Sequence, residues 1–169
     1  MNLFSTDGKE TLHAHADMAG EGITGSAEFV EYEFGEQKLV KITLMLEGDP
    51  EKLKPGQHAV HIHEKADCSG GFKCAGGHFD PGPSGNTDPD ENHGYHAGDL
   101  PSITIDDSGK GTLEAITTRV TLSEGVVSIL GGEGTSLMVH ANPDPFTPGP
   151  HGSGVSGGPR LVCGIIKRV

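Results

Sequence analysis

Histidine is the residue type whose placement in this chain could do chemistry, with ten among 169 residues. His61 and His63 are two apart in a strand-like run, so their side chains share one face, roughly 7 Å apart at the Cα atoms. Two imidazoles so placed can converge on one metal ion. Taken alone, the pair reads equally well as two partly exposed strand histidines. The other histidines change the balance. His78 sits in Gly-Gly-His-Phe-Asp-Pro at the mouth of a long irregular segment. His93, His96 and Asp99 follow in His-Gly-Tyr-His-Ala-Gly-Asp, and His140 ends Leu-Met-Val-His. Imidazole nitrogen suits copper and zinc, and a carboxylate is an ordinary zinc ligand. Four histidines with no sulfur among them favour a tetragonal copper site.

The remaining histidines carry weaker signals. His13 and His15 could form another such pair, but a solvated strand face explains them better. His58 reads as a hydrogen-bonded structural residue, and His151 as exposed. Asp88–Glu91 reads as the acidic surface of a loop. Cys68, Cys74 and Cys163 allow one bridge and one spare thiol, and spacing alone does not say which.

The elements that must position these residues read as strands. Residues 10–18 alternate Leu12, Ala14, Ala16 and Met18 with Thr11, His13, His15 and Asp17. Further runs lie at 24–34 and 38–47, split by a hairpin signal at Gly35-Glu36-Gln37, and at 57–64 after Pro55-Gly56. Strands resume at 101–105, 111–122, 136–141 and 160–167. The segments 65–99 and 142–159 have no period and are rich in Gly and Pro. About eight strands with two long loops predict an all-β sandwich or barrel; loops of this size mean function or disorder, and here they are full of potential metal ligands.

Length fits one domain over residues 1–169. With 27 Gly, no Trp and only six Phe and two Tyr, the core is thin and long helices are not expected. A formal net charge of -12 disfavours nucleic acid and anionic membrane surfaces as partners. No apolar run is long enough to span a bilayer. The segment MNLFSTDGKE lacks a signal-peptide pattern, so the expected compartment is the cytoplasm, or the periplasm or exterior if a leader was removed.

Five segments, in order and at matching spacing, resemble the copper/zinc superoxide dismutases over residues 10–167. They are Ala-Val-His-Ile-His-Glu (59–64), Ala-Gly-Gly-His-Phe-Asp-Pro (75–81), His-Ala-Gly-Asp-Leu (96–100), Leu-Met-Val-His (137–140) and Gly-Pro-Arg-Leu-Val-Cys-Gly-Ile-Ile (158–166). The resemblance implies an eight-stranded Greek-key β-barrel that turns superoxide into dioxygen and hydrogen peroxide by alternating copper valence, with zinc supporting the bridging histidine. It implies His61, His63, His78 and His140 as copper ligands, and His78, His96 and Asp99 as zinc ligands. Asp144 would orient ligand histidines, and Arg160 would dock the anion beside the copper. Cys68–Cys163 would be the disulfide, leaving Cys74 as a buried small hydrophobe. The family's remaining zinc histidine usually lies about eight residues after the bridging one. No histidine stands there, so His93 is the displaced candidate, with Asp88, Asp90 or a depleted zinc site as alternatives. The alternatives to the main function are a zinc-poor, copper-only dismutase and a non-catalytic metal-binding relative. Family members occur as monomers and dimers, so the resemblance allows a homodimer.

Overall fold

The computed structural model describes residues 8–82, 85–91 and 95–169, and His93 and the first seven residues therefore lie outside the described residues. Alternating apolar residues build three long strands, β1 (Lys9–Gly20), β2 (Ile23–Phe34) and β3 (Gln37–Gly48). Ala14, Ala16 and Met18 of β1, Ala27 and Phe29 of β2, and Val40, Ile42, Leu44 and Leu46 of β3 all point into the core. The intervening residues face outward, His13 and His15 among them, as the two-residue period dictates.

Five further strands complete the barrel: β4 (Gly56–His63), β5 (Asp99–Ile105), β6 (Lys110–Thr117), β7 (Ser136–His140) and β8 (Arg160–Ile165). A two-residue β9 (Lys167–Arg168) returns to β1. The antiparallel order is β5-β4-β7-β8-β1-β2-β3-β6, and β5 and β6, its two ends, lie side by side. The sheet thus nearly closes on itself. The chain crosses between distant strands from β3 to β4 and from β6 to β7, a Greek-key path. No described helix is long and apolar enough to cross a membrane.

Two details depart from the alternation pattern. The expected strand 111–122 ends at Thr117. Beyond it, the backbone N–H groups of Leu122 and Ser123 donate to the Glu31 carboxylate at 2.8 and 3.0 Å rather than to a neighbouring strand. Glu31 itself occupies a core-facing position of β2 and is fully buried. Burial would push its carboxyl up, but these donors, with Thr11 and Ser123, hold it below its ordinary value. A buried carboxylate of β2 therefore anchors the β6–β7 connection.

The strand that matters for function is β4. Val60 and Ile62 enter the core, yet His61 and His63 on its other face are buried too. The described residues of the segment 64–98, with 141–159, cover that face. A ring of backbone hydrogen bonds, each 2.8 Å, ties the first loop down: Phe79 N–H to Ile62 O, Gly98 N–H to Phe79 O, and Ile62 N–H to Gly98 O. A Cβ on Gly98 would stand 2.5 Å from Ile62 O, so only glycine allows this approach.

Candidate metal centre

Four histidines from three elements meet on the covered face of the barrel. His61 and His63 come from β4, His140 from the end of β7, and His78 from the loop, where it forms an isolated bridge with His63. Their rings are close, with centroids 3.9 Å apart for His61–His78, 4.9 Å for His61–His140 and 5.0 Å for His63–His78. One nitrogen from each lies within 4.8 Å of the others, and all four residues are buried.

Hydrogen bonding decides which nitrogens are free. His61 donates Nε2–H to Asp144 Oδ2 at 2.7 Å, His63 donates Nδ1–H to Gly76 O at 3.0 Å, and His140 donates Nδ1–H to Gly158 O at 3.0 Å. A neutral imidazole has one N–H, so each opposite nitrogen must carry a lone pair. Those opposite atoms, His61 Nδ1, His63 Nε2 and His140 Nε2, together with His78 Nε2, are buried and have no partner. Burial first, then the neighbouring histidines, depress the His61 and His63 pKa values well below the ordinary imidazole value. For His140, burial leads and brings the value to about 4. All three rings are therefore neutral at pH 7, the form a metal requires. Four converging ring nitrogens without partners, three of them fixed as lone pairs, are what a copper ion would occupy.

A second cluster shares the His78 ring. His78 Nδ1 lies 3.1 Å from His96 Nδ1 and 2.9 Å from Asp99 Oδ1, while His96 Nδ1 lies 3.2 Å from Asp99 Oδ2. Ligand atoms about 2.0 Å from a tetrahedral zinc stand about 3.3 Å apart, so these separations fit one ion. Burial alone would lower the His96 imidazole, but Asp99 outweighs it and raises the pKa. Asp99 in turn is held far below its ordinary value, mainly by these two rings against the opposing effect of burial. The local field thus favours positive charge at the point where the three groups meet.

Around these groups lies a fixed frame. Asp144 is buried, its carboxyl pushed up by burial, and besides His61 it accepts the Phe146 N–H at 2.7 Å. Arg160 stands opposite His140 in the β7–β8 register. It donates from its two terminal nitrogens to Phe72 O and Gly76 O, both at 2.6 Å. Gly76 O thereby holds Arg160 and His63 together. Gly76 has φ 74, and a Cβ there would lie 2.6 Å from Glu64 Oε1. Cys68 and Cys163 form a disulfide with Cα atoms 5.8 Å apart, tying the loop to β8 three residues past Arg160. The two ring nitrogens of His58 face backbone carbonyls, His140 O at 2.8 Å and Lys54 O at 2.7 Å.

Among the other sequence candidates, Asp88 lies against His151 at 2.5 Å, and Asp90 accepts the Gly154 N–H at 3.1 Å. Neither belongs to the zinc cluster found among the described residues. His151 is exposed, and His13 and His15 line no metal cluster among the described residues. His15 instead lies between Glu28 and Asp17. Cys74 is a correction: it is free but exposed rather than buried. It follows the left-handed Gly70-Gly71-Phe72 turn, and the apolar spot beside the disulfide is filled by Ala75, Met138 and Phe72 instead. Sequence reasoning missed Arg119, whose guanidinium reaches His96 O and Asp99 O, because nothing in its neighbourhood resembles a metal motif.

A Greek-key barrel with a four-histidine site sharing one ring with a His-His-Asp site defines a two-metal oxidoreductase centre. Residues 23–166 match the family described as copper/zinc superoxide dismutase (SODC), and the chain belongs to that family. It is 36% identical over 174 residues to a superoxide dismutase (Cu-Zn) of Deinococcus radiodurans, covering 96% of this chain and 87% of that protein. It is also 36% identical over 171 residues to superoxide dismutase (Cu-Zn) 2 of Aquifex aeolicus, covering 98% and 92%. Among solved structures, that of the clock protein EA4 matches over the whole of both chains, with a TM-score of 0.73 and 26% identity. The protein is accordingly an oxidoreductase that converts superoxide to dioxygen and hydrogen peroxide, with copper and zinc as its cofactors. No observation favours the copper-only or the non-catalytic reading.

Proposed function

We propose that His61, His63, His78 and His140 hold the copper, that His78, His96 and Asp99 hold the zinc, and that Arg160 and His78 act on superoxide and its protons. The observation that carries this reading is the set of four buried ring nitrogens without partners, three of them fixed as lone pairs by the bond at the opposite nitrogen. His93, three residues before His96, completes the zinc set in this proposal. Bound copper supplies the one-electron couple that no side chain offers, and zinc a redox-silent charge.

The chain's own residues have distinct tasks. Arg160 spends two of its five N–H groups on Phe72 O and Gly76 O. It keeps a fixed positive charge near His63 and His140, whose protonation it opposes, and so attracts a small anion. His78 has both nitrogens directed at ligand groups. When not engaged as a metal ligand, its Nε2 would hold one of the two protons that hydrogen peroxide needs, the other coming from solvent, while Asp99 and His96 hold the Nδ1 side of the ring in place. Asp144 fixes the His61 tautomer. The protein's charge of -12 opposes the approach of an anion from afar. Over the last stretch, shorter than the roughly 8 Å screening length at physiological salt, the local charge of Arg160 prevails.

The disulfide supports a working compartment in the periplasm or exterior, where such bonds persist. A homodimer belongs to the proposal as well. Sedimentation at micromolar concentration giving only the monomer mass would remove the dimer.

Arg160→Glu tests the catalytic assignment by superoxide disappearance at several ionic strengths and azide concentrations. The expected result is a rate lower by about tenfold or more with weaker anion inhibition. Unchanged kinetics would take Arg160 out of the reaction.

A further inference from the structure

We infer that Arg119 is a positioning residue for the zinc half of the centre, its guanidinium clamping the turn that presents His96 and Asp99. The inference rests on the reading of His78, His96 and Asp99 as zinc ligands. It concerns a residue outside both clusters, on the segment that follows β6.

The turn from His96 to Asp99 is closed from within by two bonds. Asp99 N–H donates to His96 O at 3.1 Å, and His96 N–H donates to Asp99 Oδ2 at 2.9 Å. The middle of the turn is held to the barrel by Gly98, whose N–H donates to Phe79 O and whose carbonyl accepts the Ile62 N–H, and Asp99 opens β5 opposite His61. Arg119 adds bonds to the carbonyls of the two ligand residues themselves. One terminal nitrogen donates to His96 O at 3.2 Å and the other to Asp99 O at 3.3 Å. The backbone of Arg119 is itself pinned, its N–H donating to Thr117 Oγ1 at 3.1 Å. The fork therefore spans the first and last residues of the turn and ties both zinc-ligand backbones to the end of β6.

A cation beside a bound dication is unfavourable by charge alone, so charge does not explain the choice of residue. Geometry does: a planar fork can bond two carbonyls three residues apart, whereas a lysine ammonium is a single point of attachment. The same guanidinium lies 5.8 Å from the centre of the Tyr95 ring, which in turn sits 5.8 Å from the Phe146 ring of the second loop. Both aromatics adopt a left-handed backbone, with φ 62 and φ 54, that non-glycine residues rarely take. Tyr95 precedes His96, and Phe146 is bonded to Asp144. Arg119 thus stands where the two covering loops meet behind the zinc ligands.

The test uses the full-length protein and two readouts besides activity. Zinc affinity is measured by competition with a chromophoric chelator, and the geometry of the site by the visible spectrum of cobalt(II) bound in place of zinc. Loss of an outer-shell partner lowers metal affinity by roughly 10- to 100-fold, and these two bonds are long, so Arg119→Met is expected to weaken zinc by about tenfold. Its cobalt bands should shift, while copper affinity of the zinc-free protein stays as in the wild type. Arg119→Lys, which keeps the charge but not the fork, should fall between. Tyr95→Leu, which removes the stacked ring but keeps both carbonyl bonds, should stay close to the wild type. Wild-type zinc affinity and cobalt spectrum in Arg119→Met, or in Arg119→Lys if the methionine variant does not fold, would overturn the inference. A wild-type protein that binds neither zinc nor cobalt would remove the reading of the ligands, and the clamp with it.

Discussion

Replacing Cys68 and Cys163 together by alanine should destabilise the metal-free protein severely while leaving the metal sites largely competent. The bridge joins residues 95 positions apart, so its removal frees a long loop in the unfolded chain. Loop-closure entropy for that length is about 4.7 kcal/mol at 25 °C. At roughly 2–4 °C per kcal/mol for a chain of this size, the melting temperature should fall by about 10–20 °C. In the folded state the same loop keeps other anchors. Arg160 still bonds Phe72 O and Gly76 O, His63 still bonds Gly76 O, and Glu64 N–H still donates to Gly77 O. The penalty therefore falls on the unfolded state, and the ligands remain assembled once the chain has folded. The assay is thermal and urea unfolding of the apo-protein at fixed pH, with metal titration in parallel. Cys74→Ser, at an exposed free thiol, is the control and should melt with the wild type. A fall of less than about 5 °C in the double variant would refute the loop-closure reasoning, as would loss of copper binding in a variant that still melts cooperatively.

Asp144→Asn keeps the side-chain shape but removes the buried charge that accepts the His61 N–H at 2.7 Å. Metal affinity should fall by roughly 10- to 100-fold, measured by chelator competition. The apo-protein should lose stability on acidification. His61, His63 and His140 have folded pKa values below the unfolded 6.5, that of His140 about 4, so the unfolded chain binds more protons across that window. Stability present above pH 6.5 is then lost as pH falls toward about 4. The raised values of His96, His15 and His151 act in the opposite sense, favouring the folded state below their pKa. The last two are surface pairs of small weight, and the raised Asp144 carboxyl acts in the same opposing sense as His96. Three buried rings outweigh these two groups, and melting temperatures between pH 7 and 4 should fall.

Much of the barrel was legible because alternation reports directly on which face of a strand is buried. Leu12 to Met18 and Val40 to Leu46 show the period that the structure then uses. Glu31 breaks it, and nothing local announces that donors some ninety residues away will satisfy its carboxylate. For the same reason β6 was expected to run to residue 122: Val120 and Leu122 keep an apolar rhythm after the chain has left the sheet. The candidate cluster was legible because imidazoles two apart on a strand share a face and because five segments in order resemble one family, while His13, His15, His58 and His151 carried no such signal. Arg119 was not, since its role depends on two backbone carbonyls that carry no signature in sequence. The exposure of Cys74 depends on three successive left-handed residues, Gly70, Gly71 and Phe72, and the last of these is not a residue from which such a backbone would be expected.

Anomalous diffraction at the copper and zinc absorption edges, from crystals of the protein loaded with both metals, tests the shared-histidine centre most directly. The account predicts one copper peak within bonding distance of His61 Nδ1, His63 Nε2, His78 Nε2 and His140 Nε2, and one zinc peak against His78 Nδ1, His96 Nδ1 and Asp99. A copper peak away from those four nitrogens, or two peaks with no common His78 ring, would contradict it.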